Sequence, residues 1–404
     1  MKDALHLDFS ARRTPASLVR KVHLKRDSGG PATEIMYEIA GGNPEFPKAL
    51  DGFLFGALLF VMGTGLPLRV HGPVSRSALY NLEDVQAFWR LWRPERYKRV
   101  EIVPDQVVDL KRCKPGRRAI AAFSGGVDST FTVLRHRNRT VGSGSYNLDT
   151  ALMVHGFDIN LGNRDAFERA AERAMPFLEK MGVALRVIRT TSKELGLQNW
   201  EDSHAGQLAG CLHQFSDEFE FGLIGSTASY ADPELPYGSN PVLDPLLSGD
   251  EFGIIYDAAG FLKTDKIAAL AEDPVATAGL RVCWQGSDQY RNCGRCGKCV
   301  RTRLSFLAAG VPNPACFDGD FELGTIDTIR LANVSEWTRM KEISAYAAQR
   351  GIKAAWVRRL HRRMATFRRE LFFSNISKTM GRSLDRIGMK QGVKRGLRTL
   401  GLMR

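Results

Sequence analysis

Ala119-Ile120-Ala121-Ala122-Phe123-Ser124-Gly125-Gly126-Val127-Asp128-Ser129 decides how this chain is read. Five apolar residues predict a short buried strand and two glycines a tight turn. From Asp128 a helix is predicted to run to Arg137. The first N–H groups of such a helix have no intrahelical acceptor and sit at the positive end of its dipole. Glycines there admit phosphate oxygens to the backbone, and Ser124 and Ser129 add hydroxyl donors. The stretch therefore predicts a nucleotide phosphate site, against the alternative of a glycine turn that only caps a helix. A carboxylate facing phosphates needs a cation between them, so Asp128 is expected to hold magnesium or to orient the loop. No Gly-Lys-Ser/Thr follows, which excludes a kinase-type phosphate loop, and the glycine spacing excludes a dinucleotide fingerprint.

Working outward, apolar runs at 151–154, 184–190 and 221–224 predict further strands. Amphipathic patterns at 164–181 and 204–215 predict the helices between them. Strands separated by helices imply an α/β fold with a doubly wound parallel sheet, and ligands on such sheets sit at the carboxyl ends of the strands. Ile224-Gly225-Ser226-Thr227 closes one strand and is expected to form a third wall of the site. Residues 231–260 read as loop.

Residues 1–112 read as a separate α+β unit, with strands at 19–24, 34–39, 67–71 and 100–103 and helices at 46–62 and 82–92. They carry no catalytic motif. Residues 52–68 hold no charged side chain over 17 positions. That pattern fits a buried helix with its exit turn, or a membrane-associated segment at the short limit for a span. The core nucleotide domain is expected over 113–275, a metal segment over 276–315, and a helical basic region over 316–404.

Cys283-x9-Cys293-x2-Cys296-x2-Cys299 places four thiols within 17 residues. Two-residue spacings let neighbouring sulfurs reach one tetrahedral centre, and Gly294 and Gly297 allow the turns this requires. A structural Zn2+ is the leading expectation, with an iron–sulfur cluster as the alternative. Arg281, Arg291, Arg295, Lys298 and Arg301 balance the thiolate charge. Cys113, Cys211 and Cys316 are isolated and read as packed thiols, and the cysteine usage fits a reducing cytosol.

The hexad Ser124-Gly125-Gly126-Val127-Asp128-Ser129 resembles the signature of the PP-loop ATP pyrophosphatases. Among these, the cysteine pattern with Leu280-Arg281-Val282 before it and Val300-Arg301 after it is similar to that of 7-cyano-7-deazaguanine synthase. The similarity covers roughly residues 117–310. The first 112 residues, the basic tail and the stretches around Asn199-Trp200 and 237–246 lie outside it, so the chain reads as a divergent member with its own acceptor. The resemblance implies cleavage of ATP between the α and β phosphates, with adenine against Val154 and His155. It implies an adenylated acceptor oxygen that an amine or ammonia then displaces. Cations beside the leaving pyrophosphate are chemically required, and Lys266 and Arg281 are the first choices. His204, Asp244 and Lys263 are further candidates, weighed against ordinary structural roles. Sulfur transfer to a nucleobase and a non-catalytic ATP sensor are the competing readings.

The charge of +13 is concentrated at one end. Residues 351–404 hold 15 Lys/Arg against Glu370 and Asp385, and the other 350 residues balance at 42 bases and 42 acids. A helix packed with a solvated basic face, a membrane-surface helix and a nucleic-acid contact are three readings of this tail. A cytoplasmic location is expected, with attachment at the inner membrane surface as a variant, and oligomerisation stays open.

Overall fold

The computed structural model describes residues 3–41, 44–111, 116–286, 288–329 and 334–367. Strand β6 (Arg118–Ala122) lies inside the sheet, and its alternate residues feed two different cores. Ala119 and Ala121 face one core; Ile120 and Ala122 face the other. A strand covered on both sides must be apolar throughout, which is why this run lacks polar alternation. Beside it lie β7 (Asn147–His155), β8 (Ala184–Thr190), β9 (Phe221–Gly225) and β10 (Gly253–Asp257), in the order β10-β9-β6-β7-β8, with every neighbour parallel. Strand β10 falls inside the stretch read as loop. Its five residues are hidden among the glycines and prolines that precede it.

Helices cover both faces. On one side pack α3 (Val127–Arg137), α4 (Arg164–Met181), α6 (Lys263–Ala271), α7 (Pro274–Gly279) and α8 (Gly297–Ala308). On the other lie α1 (Asp51–Thr64), α2 (Arg76–Trp92) and α5 (Trp200–Leu212). The predicted span of α4 is met at both ends, because Asn163 accepts from the Ala166 N–H and Gly182 closes the helix in the left-handed region. Helix α5 starts earlier than its apolar pattern suggests, since Asn199 caps it.

The first 111 residues do not form a sheet of their own. Strands β1 (Leu5–Arg13), β2 (Ser17–Arg26) and β3 (Thr33–Ala40) run antiparallel, and β3 joins β8 through Tyr37 opposite Thr190. Strands β4 (Leu68–Ser75) and β5 (Ile102–Val108) complete a ten-stranded sheet beyond β1. Contacts group residues 1–321 as one compact unit, so the boundaries expected at 112 and 275 fall within a continuous fold. After Asp51 at its first position, helix α1 carries no charged residue, because nearly every side of it is buried. Its Gly52 and Gly56 meet Gly210 of α5, and a Cβ at Gly210 would lie 2.9 Å from the Gly52 carbonyl. No helix among the described residues is long and apolar enough to cross a membrane.

Residues 322–404 form a second unit. Within it are a helix at Val334–Gln349 and another over residues 355–367. Trp356, Leu360 and Phe367 are buried, while Arg358 and Arg362 are exposed, giving an apolar stripe inside and a basic face in solvent. Arg368, Arg369 and the rest of the basic tail lie outside the described residues, as does Cys113.

Candidate functional site

Chain leaves β6 at Phe123, turns through Ser124 and Gly125, and enters α3 with Gly126 as its N-cap. Gly125 has φ of 72°, a left-handed conformation that a side chain resists. The turn is tied within itself. Ser129 Oγ lies 3.4 Å from Ser124 Oγ and donates to the Gly126 carbonyl at 3.2 Å. It is also tied from behind, where the Arg281 N–H donates to the Gly125 carbonyl at 2.8 Å. Gly225, at the end of β9, sits against the first turn of α3: a Cβ there would meet the Asp128 carbonyl carbon and oxygen at 2.8 Å. The loop is thus clamped between β9 and the segment before Cys283.

Beneath it, both carboxylate oxygens of Asp128 are taken by lysines. Lys263 Nζ pairs with Oδ2, and Lys266 Nζ with Oδ1 at 3.1 Å. Lys266 is 1% exposed and also donates to the Ser226 carbonyl at 2.5 Å and to Ser226 Oγ at 2.8 Å. Burial opposes ionisation of Asp128, but the two ammonium groups outweigh it and hold its carboxyl below the ordinary value. Of the two roles expected of Asp128, the geometry favours orienting the loop.

In front opens a cleft of about 330 Å³ at the carboxyl ends of β6, β7 and β9. Its size is that of a small-molecule site. Ser124, Asp128, Ser129, Val154, Gly225 and Arg281 line it. Gly125, Gly126 and Val127 build the loop from behind. Ser226 and Lys266 are not among the residues that line the cleft: Lys266 is buried against Asp128 and Ser226. His155 is likewise turned away: its Nε2 lies 2.9 Å from the Asn160 carbonyl and its ring stacks on Phe167. Burial lowers its pKa, as a packed neutral imidazole requires. Arg281, also almost fully buried, pairs with Asp158 at 3.3 Å.

Of the opposite wall, only His204 is among the candidates that the sequence offers. Phe157, Trp200, His204 and Tyr237 form a chain of ring contacts with successive centroid separations of 4.9, 5.9 and 4.8 Å. Burial lowers the pKa of His204, whose Nδ1 faces the Trp200 carbonyl. Trp284 and Lys298 close the cleft from the cysteine segment, with Lys298 Nζ 5.7 Å from the indole centroid. Position along the chain is the signal that could have found some of these. Phe157 and Asp158 follow a parallel strand, and Trp284 and Lys298 each adjoin a cysteine of the cluster. Asp244 is not at the cleft. It is buried, accepts from Ser239 Oγ at 2.8 Å and from the Asn240 N–H at 3.0 Å, and burial raises its pKa to about 7.

The sulfurs of Cys283, Cys293, Cys296 and Cys299 all lie within 4.8 Å of one another, and those of Cys293 and Cys299 are 3.8 Å apart. A tetrahedral zinc with Zn–S of about 2.3 Å places its sulfurs roughly 3.8 Å apart, so the set fits the ion. Backbone N–H groups of Cys293 and Cys296 point at the sulfurs of Cys283 and Cys293, at 3.2 and 3.3 Å. These are donors that stabilise thiolate. The isolated Cys211 and Cys316 are buried, and burial pushes the Cys316 thiol up to about 12 and that of Cys211 higher still. Neither is a nucleophile at neutral pH. Comparison with family models, curated proteins and solved structures returns no match.

Proposed function

We propose that this protein is an ATP-dependent ligase of the PP-loop type, which adenylates an acceptor oxygen and passes it to an amine or ammonia. The observation that carries the reading is the Gly125-Gly126 turn, capping α3 at the carboxyl edge of a parallel sheet and opening on a cleft lined by Asp128, whose carboxylate Lys263 and Lys266 hold from outside the lining. The free N–H groups of the first turn of α3 would take the β and γ phosphates, and Ser124 and Ser129 would donate to them. Arg281, which lines the cleft, would offset the negative charge that develops as pyrophosphate leaves. Val154 would pack on the adenine. Magnesium would arrive as the counter-ion of the triphosphate. With no nucleophilic side chain called on, rate enhancement would come from positioning and charge neutralisation.

Zinc is the metal that best suits the four-thiolate set, and four protein ligands leave it no open position, which makes its role structural. The burial of Cys211 and Cys316 speaks against sulfur transfer, which needs an accessible thiol pair. Incubation with Mg-ATP and cell extract, followed by separation of AMP, ADP, pyrophosphate and phosphate, tests the proposal. Formation of AMP and pyrophosphate is expected, and release of ADP and phosphate alone would overturn it.

A further inference from the structure

The four-cysteine segment does more than staple the fold beside the cleft; it supplies part of the wall. Trp284 directly follows Cys283, and Lys298 directly precedes Cys299; both side chains line the cleft. Two residues before Cys283, Arg281 lines it as well and donates its backbone N–H to Gly125 in the phosphate loop. Asn292, next to Cys293, accepts from the Val282 N–H at 2.7 Å and donates to the Leu280 carbonyl at 2.9 Å. A single tether thus runs from the sulfurs through residues 280–283 to the turn that would take phosphate.

Besides the sulfurs and Asn292, the connection between Cys283 and Cys293 is held by Arg281 Nη1, which donates to the Gln289 carbonyl at 3.3 Å, and by Tyr290, which packs against the cluster of Met153 and Phe167. Asn163 to Gln289 at 3.2 Å, Arg169 to the Tyr290 hydroxyl at 3.1 Å and Arg291 to Asp318 at 3.7 Å are exposed contacts of the kind that contribute little. Trp284 adjoins Cys283 and Lys298 adjoins Cys299, so an ion that fixes the four sulfurs also fixes the backbone on which both side chains stand.

We infer that Trp284 and Lys298 contact the ligand of the cleft, and that metal and ligand binding are consequently linked, each tightening the other. The inference rests on the nucleotide reading of the cleft. The ligand chemistry is an anion flanked by a π surface: Lys298 supplies an ammonium group and Trp284 an indole face. Linkage is reciprocal, so a nucleotide held by these residues must slow loss of the metal.

The test is the rate of zinc transfer from the intact protein to excess chromogenic chelator, with and without Mg-ATP in excess magnesium. Binding of Mg-ATP is measured by calorimetry on the same zinc-loaded samples. Slowing of zinc loss by at least about fivefold is expected, in line with ordinary coupling between sites. Arg90→Ala, which removes an exposed charge on α2 away from both the cysteines and the cleft, should keep that effect. Trp284→Ala and Lys298→Ala should weaken ATP binding and abolish the slowing while retaining full zinc content. If Mg-ATP binds but zinc loss is unchanged, or if Arg90→Ala behaves like Lys298→Ala, the inference is overturned and the nucleotide reading stands. If no heat of binding is seen with zinc-loaded protein, it is the nucleotide reading that fails, and the inference with it.

Discussion

The Asp128–Lys266 pair should behave as one buried unit whose halves cannot be removed separately. Lys266 Nζ has three oxygen partners within 3.1 Å and almost no solvent. Lys266→Met would leave the Ser226 carbonyl unpaired and Asp128 half-neutralised, and Asp128→Asn would leave a buried ammonium without its counter-charge. Each is expected to cost about 3–5 kcal/mol. The double variant should cost clearly less than their sum, with a coupling on the order of 2 kcal/mol. Lys263 pairs with the same carboxylate, but its side chain is 24% exposed, so Lys263→Met should cost only about 1 kcal/mol or less. Urea unfolding of the zinc-loaded protein, followed by tryptophan fluorescence, measures all four. Because the folded Asp128 pKa is depressed, its stabilisation is fully present above the unfolded value of about 3.9 and disappears as pH falls through the folded one. The cost of Lys266→Met should therefore be level from pH 8 to 5 and shrink in strong acid. Equal costs for the Lys266 and Lys263 variants, or simple additivity with Asp128→Asn, would refute the reasoning.

Gly225→Ala places a Cβ 2.8 Å from backbone atoms of Asp128, which no rotamer can relieve; a loss of about 2–4 kcal/mol and of Mg-ATP binding is expected. Gly125→Ala has space around it and suffers only from its positive φ, so about 1–2 kcal/mol should be lost, and a larger cost than that of Gly225→Ala would contradict the packing argument. Asp244 titrates in the opposite sense to Asp128: its folded pKa of about 7 lies above the unfolded value, so its protonated form favours folding and stability falls as pH rises from about 4 to 7. Asp244→Asn should flatten that loss, and thermal unfolding at pH 5 and pH 8 with the same slope as wild type would argue against a buried acid. Metal analysis should find one zinc per chain, and Cys296→Ser should lower both zinc content and melting temperature. Iron with a visible charge-transfer band would replace zinc by a cluster.

Signals that act within about ten residues were readable without coordinates. A strand, two glycines and a helix start in succession located the glycine turn, and paired Cys-x2-Cys spacings located the four-thiol cluster. The amphipathic period of Phe167, Ala170, Ala174 and Leu178 located α4, and the structure adds the Asn163 cap at its start. Such features depend on turn chemistry and side-chain period, which are local properties. Other features are set by which elements become neighbours, and no local pattern encodes that. Lys263 and Lys266 reach Asp128 across 135 and 138 residues, and Trp200, Tyr237, Trp284 and Lys298 converge on one cleft from separate segments. The antiparallel pairing of β3 with β8 merged two expected domains, because a half-covered edge strand takes whatever partner leaves its apolar face on a shared core. From sequence alone the chain declared its loop and its thiols; packing decided that Lys266 anchors, that His155 turns away, and that the cysteine segment forms a wall of the cleft.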